Sequence, residues 1–233
     1  MEQKIDVYQK LRMEIDKMPV AYPPTKSGVE IQLLKKLFTP EEAEIALHLS
    51  ILPESLSRIH KRMVKSGKNI SKEDLAKILD TMLQKGSILG GGLFERQKGK
   101  GKYYSKSILA IGMFEGQVNS ITPGLSRDFH QYLEEGFFRE FNGIPTPQMR
   151  TVPISRSLKP DSNVATYDDM RRYIMEYDDI MVVQNCICRQ SMDVLDKHCS
   201  HSDVRETCLA FGDSARFIFG KGLGRKVDRE EML

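Results

Sequence analysis

The chain has 233 residues, enough for one large domain or for two small ones with cores of their own. Hydrophobic residues make up 40% and charged residues 29%, the balance of an ordinary globular protein, which excludes general disorder. A net charge of +3 is too small to imply a nucleic-acid partner by itself. No 18-residue apolar run calls for a membrane span, and the charged stretch from Met1 to Lys10 has no signal-peptide core, so a cytoplasmic location is expected.

Asp6 to Met18 is predicted to be an amphipathic helix with Val7, Leu11, Ile15 and Met18 on one stripe, stopped by Pro19 and the Pro23-Pro24 pair. A second short helix covers Val29 to Phe38. Thr39-Pro40-Glu41-Glu42 then starts a third: Thr39 is the N-cap, Pro40 takes the first helical position, and Glu42 sits where a capping box needs its carboxylate. A fourth helix, Glu54 to Val64, lies between Pro53 and Gly67. The fifth is capped by Ser71, buries Leu75, Ile78, Leu79 and Met82, and stops near Gly86. Two extended runs, Ser87 to Arg96 and Tyr103 to Ile111, flank a polar Gly/Lys turn and predict a β-hairpin. Three helices followed by a hairpin is the order of a winged helix-turn-helix.

Beyond a Gly/Pro-punctuated connection (112–124), a helix is predicted from Leu125 to Phe141, with Leu125, Phe129 and Phe137 at core spacing, stopped by Pro145 and Pro147. A strand over Met149 to Ile154 and a helix from Thr166 to about Tyr177 follow, then an apolar run, Ile180 to Val183, that leads straight to Cys186. The expected fold class is α+β and mostly helical. It comprises a winged helix-turn-helix domain over 1–115 and a Cys-rich, metal-binding α+β segment over 116–233.

All four cysteines fall between 186 and 208, spaced Cys-x-Cys-x10-Cys-x8-Cys. In a reducing compartment that clustering points to metal binding or redox chemistry rather than a structural disulfide. If the strand persists through Cys186 and Cys188, both side chains face one way with Cα atoms ~6.6 Å apart. Tetrahedral zinc wants its sulfurs only ~3.8 Å apart and usually takes Cys-x2-Cys knuckles, which are missing here. A cubane iron–sulfur cluster accepts the wider spacing more readily. Four readings stay open at this point: an iron–sulfur cluster, zinc with His198 or His201 replacing one thiolate, a redox disulfide, and four thiols that simply pack as small hydrophobes. Arg189, directly after Cys188, is either a surface arginine or a fixed charge that tunes an anionic cluster. The stretch Leu209 to Phe219 is expected to form a helix over the site.

Six Lys/Arg and no acid lie between Ser55 and Lys72, and five more between Arg96 and Lys106. Arg96, Lys98, Lys100 and Lys102 on the predicted wing are therefore candidate phosphate contacts. The predicted recognition helix argues the other way: it carries Glu73, Asp74 and Asp80, and only Gln84 among base-reading residue types. No Walker loop, dinucleotide fingerprint, Gly-x-Ser-x-Gly elbow or His-Glu-x-x-His is present, and no substrate turnover is expected.

Asn185-Cys186-Ile187-Cys188-Arg189-Gln190, Cys199, and Arg205-Glu206-Thr207-Cys208-Leu209-Ala210-Phe211-Gly212 resemble a group of anaerobe proteins called 4Fe-4S ferredoxins or 4Fe-4S binding proteins. So do Ser27-Gly28-Val29-Glu30, Leu37 to Glu44, and Gly222-Leu223-Gly224-Arg225. The resemblance implies a winged-helix-like N-terminal domain, a 4Fe-4S cluster on Cys186, Cys188, Cys199 and Cys208, and electron transfer with a partner redox enzyme. Longer members continue into a two-cluster ferredoxin module with Cys-x2-Cys-x2-Cys-x3-Cys-Pro runs, whereas these four cysteines can build one cluster at most. The alternative expectation is a winged-helix transcriptional regulator whose iron–sulfur or zinc site senses redox state. A redox partner protein, DNA and a second copy of the chain are the partners considered.

Overall fold

A computed structural model describes residues 5–90, 102–143, 167–200 and 202–233. The helices α1 (Val7–Asp16), α2 (Val29–Leu37) and α3 (Pro40–Leu47) come first. The capping box forms as the sequence predicts: Thr39 Oγ1 accepts from the Glu42 amide at 3.2 Å, and Glu42 Oε2 accepts from the Thr39 amide at 2.7 Å. A two-residue strand, β1 (Glu54–Ser55), leads into α4 (Leu56–Lys65), and α5 (Lys72–Gln84) follows, capped by Ser71 through the Asp74 amide at 3.0 Å. Next come β2 (Ile88–Gly90) and β3 (Tyr103–Lys106). The first sheet is antiparallel in the order β1-β3-β2, with Glu54 and Gly90 both opposite Tyr104.

The predicted strand to Ile111 stops at Lys106. The chain turns there because Leu109, Met113 and Phe114 are drawn into the core, with the Met113 and Phe114 amides bonded back to the Ile108 and Leu109 carbonyls at 2.9 Å. The predicted turn residues Arg96, Lys98 and Lys100 lie outside the described residues, as do the predicted strand Met149 to Ile154 and the cap Thr166.

Helix α6 (Pro123–Tyr132) passes through a wider π turn (Leu133–Phe137) into α7 (Phe138–Gly143), so the single predicted helix is interrupted. After α8 (Tyr167–Glu176), the second sheet forms from β4 (Met181–Asn185), β5 (Glu206–Phe211) and β6 (Gly224–Lys226), all antiparallel with β4 in the centre. Between β4 and β5 runs α9 (Ile187–Asp193). The helices α10 (Gly212–Gly220) and α11 (Arg229–Met232) complete the described chain. The stretch predicted as a covering helix from Leu209 is strand as far as Phe211, because Val182 and Val183 pair with Ala210 and Leu209; Gly212, at φ +58°, makes the turn into α10. The observed class is thus α+β and mainly helical, with two small antiparallel sheets. Among the described residues no helix is long and apolar enough to cross a membrane.

One hydrophobic cluster joins Leu11, Leu33, Leu79 and Phe129 to Ile187 of α9, with Phe217 and Leu223 packed against it. The Cys-bearing segment is therefore seated on the same core as the first sheet. Polar bonds tie the seam. Ser126 Oγ donates to the Ser191 carbonyl at 2.5 Å, and Lys221 Nζ donates to the Leu83 carbonyl at the end of α5. Leu79 is fully buried, whereas Lys77, two positions earlier, makes only an exposed pair with Asp74. Leu79→Ala is expected to cost about 2–5 kcal/mol in chemical denaturation. Lys77→Ala should leave the unfolding midpoint unchanged.

Candidate metal centre

Strand β4 is apolar and buried at Met181, Val182 and Val183, which makes it the fixed centre of its sheet. It does not persist through both cysteines, contrary to the strand expectation. The chain leaves the sheet at Cys186, whose amide donates to the Arg205 carbonyl at 2.8 Å, and Cys186 becomes the N-cap of α9. Burial of Ile187 in the main core pulls the chain out of the sheet plane. The helix then starts on Gln190, whose amide reaches the Cys186 carbonyl at 3.0 Å. Cys188 consequently sits in the first turn of α9 rather than two residues along a strand.

The fourth cysteine in sequence arrives from the opposite strand. Cys208 pairs in register with Gln184, while Asn185 pairs with Glu206. Thr207 is thus an extra residue, a β-bulge beside the site of the kind that re-aims a neighbouring side chain. The thiols of Cys186, Cys188 and Cys208 interact with one another.

Their electrostatics are unequal. Burial pushes the Cys186 thiol up, but hydrogen bonds outweigh it and hold the group below the usual thiol range. The donors are the Arg189 and Cys188 amides, the Cys208 thiol and the Thr207 hydroxyl. Cys188 and Cys208 are both pushed up to about 11, by burial first and then by the Cys186 charge beside them. Cys188 is exposed as a residue, so the neighbouring charge is the firmer of its two causes. The Glu115 carboxylate acts in the same direction on both.

Cys199 lies in the loop after α9, where its charge acts on Arg205. Arg205 also pairs with Asp193, with Nη2 to Oδ1 at 2.9 Å, and the same carboxylate takes His198 Nδ1 at 2.9 Å. His198 is thereby bonded to Asp193 in an exposed pair, and His201 lies outside the described residues. Arg189 contributes its backbone amide to Cys186, while its guanidinium donates to the Val204 carbonyl. Lys102 pairs with Asp80 at 2.7 Å. Asn119 and Glu115 are neighbours of this region that sequence reasoning missed, since nothing in their spacing ties them to the cysteines.

Among the described residues, no group of three or more His, Cys, Asp or Glu side chains is arranged to hold a single metal ion. The donor chemistry nevertheless fits a thiolate-ligated group. Three soft sulfurs meet, one stabilised as thiolate by two helix amides, and the other two are held protonated by burial first and then by the charge of the first. Comparison of the chain with protein-family models, with curated proteins and with solved structures gives no match in any of the three.

Because a lowered thiol pKa means more thiolate at a given pH, Cys186 should alkylate first in the reduced, metal-free protein at pH 8. Cys188 and Cys208 should react in bulk only as pH approaches 11. Peptide mapping after iodoacetamide labelling across that range checks the order.

Proposed function

We propose that this chain carries an iron–sulfur cluster on Cys186, Cys188, Cys199 and Cys208 and exchanges electrons with a partner redox protein. The observation that carries the reading is the meeting of three thiols from two paired strand ends at a strand–helix junction, with backbone amides directed at one of them. Amide donors to cluster sulfur are among the levers by which a protein sets a cluster's potential, and they cost no reorganisation when the charge changes. When bound, the cluster would supply one-electron chemistry; the chain supplies ligands, amide dipoles and a partly exposed edge at Cys188. The resemblance of the cysteine segments to 4Fe-4S binding proteins supports the same reading.

Anaerobic purification followed by absorption spectroscopy and iron, sulfide and zinc analysis tests it. A broad band near ~400 nm with about four irons per chain is the expected result. Cys188→Ser should lower iron content and destabilise the C-terminal part. A colourless chain with one zinc, or unchanged iron loading in the variant, would sink the cluster or the ligand assignment respectively.

A second reading, a winged-helix regulator that binds DNA, is favoured by one observation. The order α3-β1-α4-α5-β2-β3 with sheet order β1-β3-β2 supports a winged-helix reading. The charges support it less. Arg58 and Arg62 both pair with Glu54, Lys68 pairs with Glu44, and Lys102 pairs with Asp80 on the helix that would face the groove. On the electron-transfer reading, fluorescence anisotropy with duplex DNA should show no binding above the salt-sensitive background. A steep loss of affinity between 50 and 200 mM salt would favour the regulator.

A further inference from the structure

A cleft of about 870 Å³ opens between the C-terminal ends of α2 and α5 and the start of α6, and none of the four cysteines lines it. That volume falls within the range of small-ligand sites. Its floor is made by the buried residues Leu37, Ser87, Gln117 and Leu125, and Lys36 and Lys85 stand at its rim. The walls are tied to one another. Ser87 Oγ donates to the Leu37 carbonyl at 2.7 Å, and Lys36 Nζ donates to the Gly124 carbonyl at 2.9 Å. Gly86, at φ +72°, packs so closely on Gly116 that a Cβ there would stand 2.4 Å from the Gly116 carbonyl oxygen. A cleft held by such contacts needs little ordering when it is filled.

The polar groups of the cleft differ between floor and rim. Gln117 commits both N–H groups of its side chain to the Lys85 and Met113 carbonyls, at 3.0 and 3.2 Å. The reverse orientation would set the amide oxygen against two carbonyl oxygens, so Oε1 is fixed as an acceptor. Among the described residues no donor reaches it, although Gln117 is only 6% exposed. An acceptor left without a donor in so buried a residue is destabilising, and a ligand N–H would relieve it. At the rim, Lys85 pairs with Glu42 and Lys36 with Asp128, each at 2.6 Å, but neither acid lines the cleft. Asp80, the acid that does, accepts from Lys102 at 2.7 Å and from the Tyr104 hydroxyl at 2.8 Å. An ammonium has three donors, so Lys85 keeps N–H groups for a further acceptor.

A bare anion would leave the apolar floor and the Gln117 oxygen unused, and a neutral apolar ligand would leave both lysines unused. A flat ring with N–H donors on its edge, joined to an anionic group, engages all of them. We propose that this cleft binds a nucleoside monophosphate, with the base on Leu37 and Leu125, an edge N–H donating to Gln117 Oε1, and the phosphate accepting from Lys36 and Lys85. Adenine carries such a donor in its amino group, and lysine is a common point-charge partner for phosphate. The inference goes beyond the cluster reading and does not depend on it.

Isothermal titration calorimetry on the full chain, with AMP, adenosine and inorganic phosphate as probes, tests it. AMP is expected to bind once per chain, more tightly than either of the other two. Lys36→Gln and Lys85→Gln should each weaken AMP by about tenfold, the loss of one charged contact, while adenosine binding stays unchanged. Lys65→Gln, which removes the same charge from the exposed end of α4, should leave AMP binding as it was. Circular dichroism checks folding, and Lys36→Gln carries the test if Lys85→Gln is unfolded. No heat with AMP, phosphate binding as tightly as AMP, or an equal loss in Lys65→Gln would each overturn the proposal. Iron content is not read in any of these arms, so their failure leaves the cluster reading untouched.

Discussion

The hydrogen bond from the Cys186 amide to the Arg205 carbonyl marks the point on which the site depends. At that residue the backbone stops being a strand and becomes a helix cap. Had β4 run on, Cys186 and Cys188 would have shared one sheet face, remote from any amide dipole. Because it turns, Cys186 gains the free N–H groups of the first helical turn and Cys188 is wound back toward it. The bulge at Thr207 does the matching work on the opposite strand, at the level of Cys208. Two local departures from regular pairing thus bring together thiols carried by two neighbouring strand ends.

This geometry has an electrostatic consequence. The site holds one thiol low and two high: the amides stabilise the first charge, while burial and then that charge oppose the second and third. Glu115 adds to the opposition from a loop with backbone constraints of its own.

The site is also mechanically continuous with the rest of the molecule. Ile187 belongs to the main core, and the Ser191 carbonyl accepts from Ser126 on α6. The Ser191 hydroxyl meets His130 Nε2 at 3.2 Å, and Lys221 reaches the carbonyl end of α5. A change at Cys186 or Cys188 acts on α9, and α9 is packed directly on α6. Electron transfer needs that rigidity to keep the ligands in place. A regulator would need the same seam to carry a signal toward α5, so the packing alone is compatible with either role.

Much of the helical framework was legible in the sequence, because its determinants are local. The Thr39 box, the Ser71 cap and the 3.6-residue stripes of α1 and α5 act within one or two turns, and they form as read. The clustering of four cysteines, too, singled out the region where chemistry belongs. What the sequence left open depended on long-range contact. It could not show that Ile187 would be claimed by a core built from α1 to α6 and so turn a strand into a helix at Cys186. Nor could it show that Gly212 rather than Leu209 would open α10, since that follows from pairing with β4. Glu115 and Asn119 carried no local signal at all: a lone acid and a lone amide in a loop acquire meaning only from the side chains that folding sets against them. Local sequence determined the elements and the kind of ligand atom; only tertiary packing decided which of those atoms meet, because convergence of distant residues is a property of the whole core.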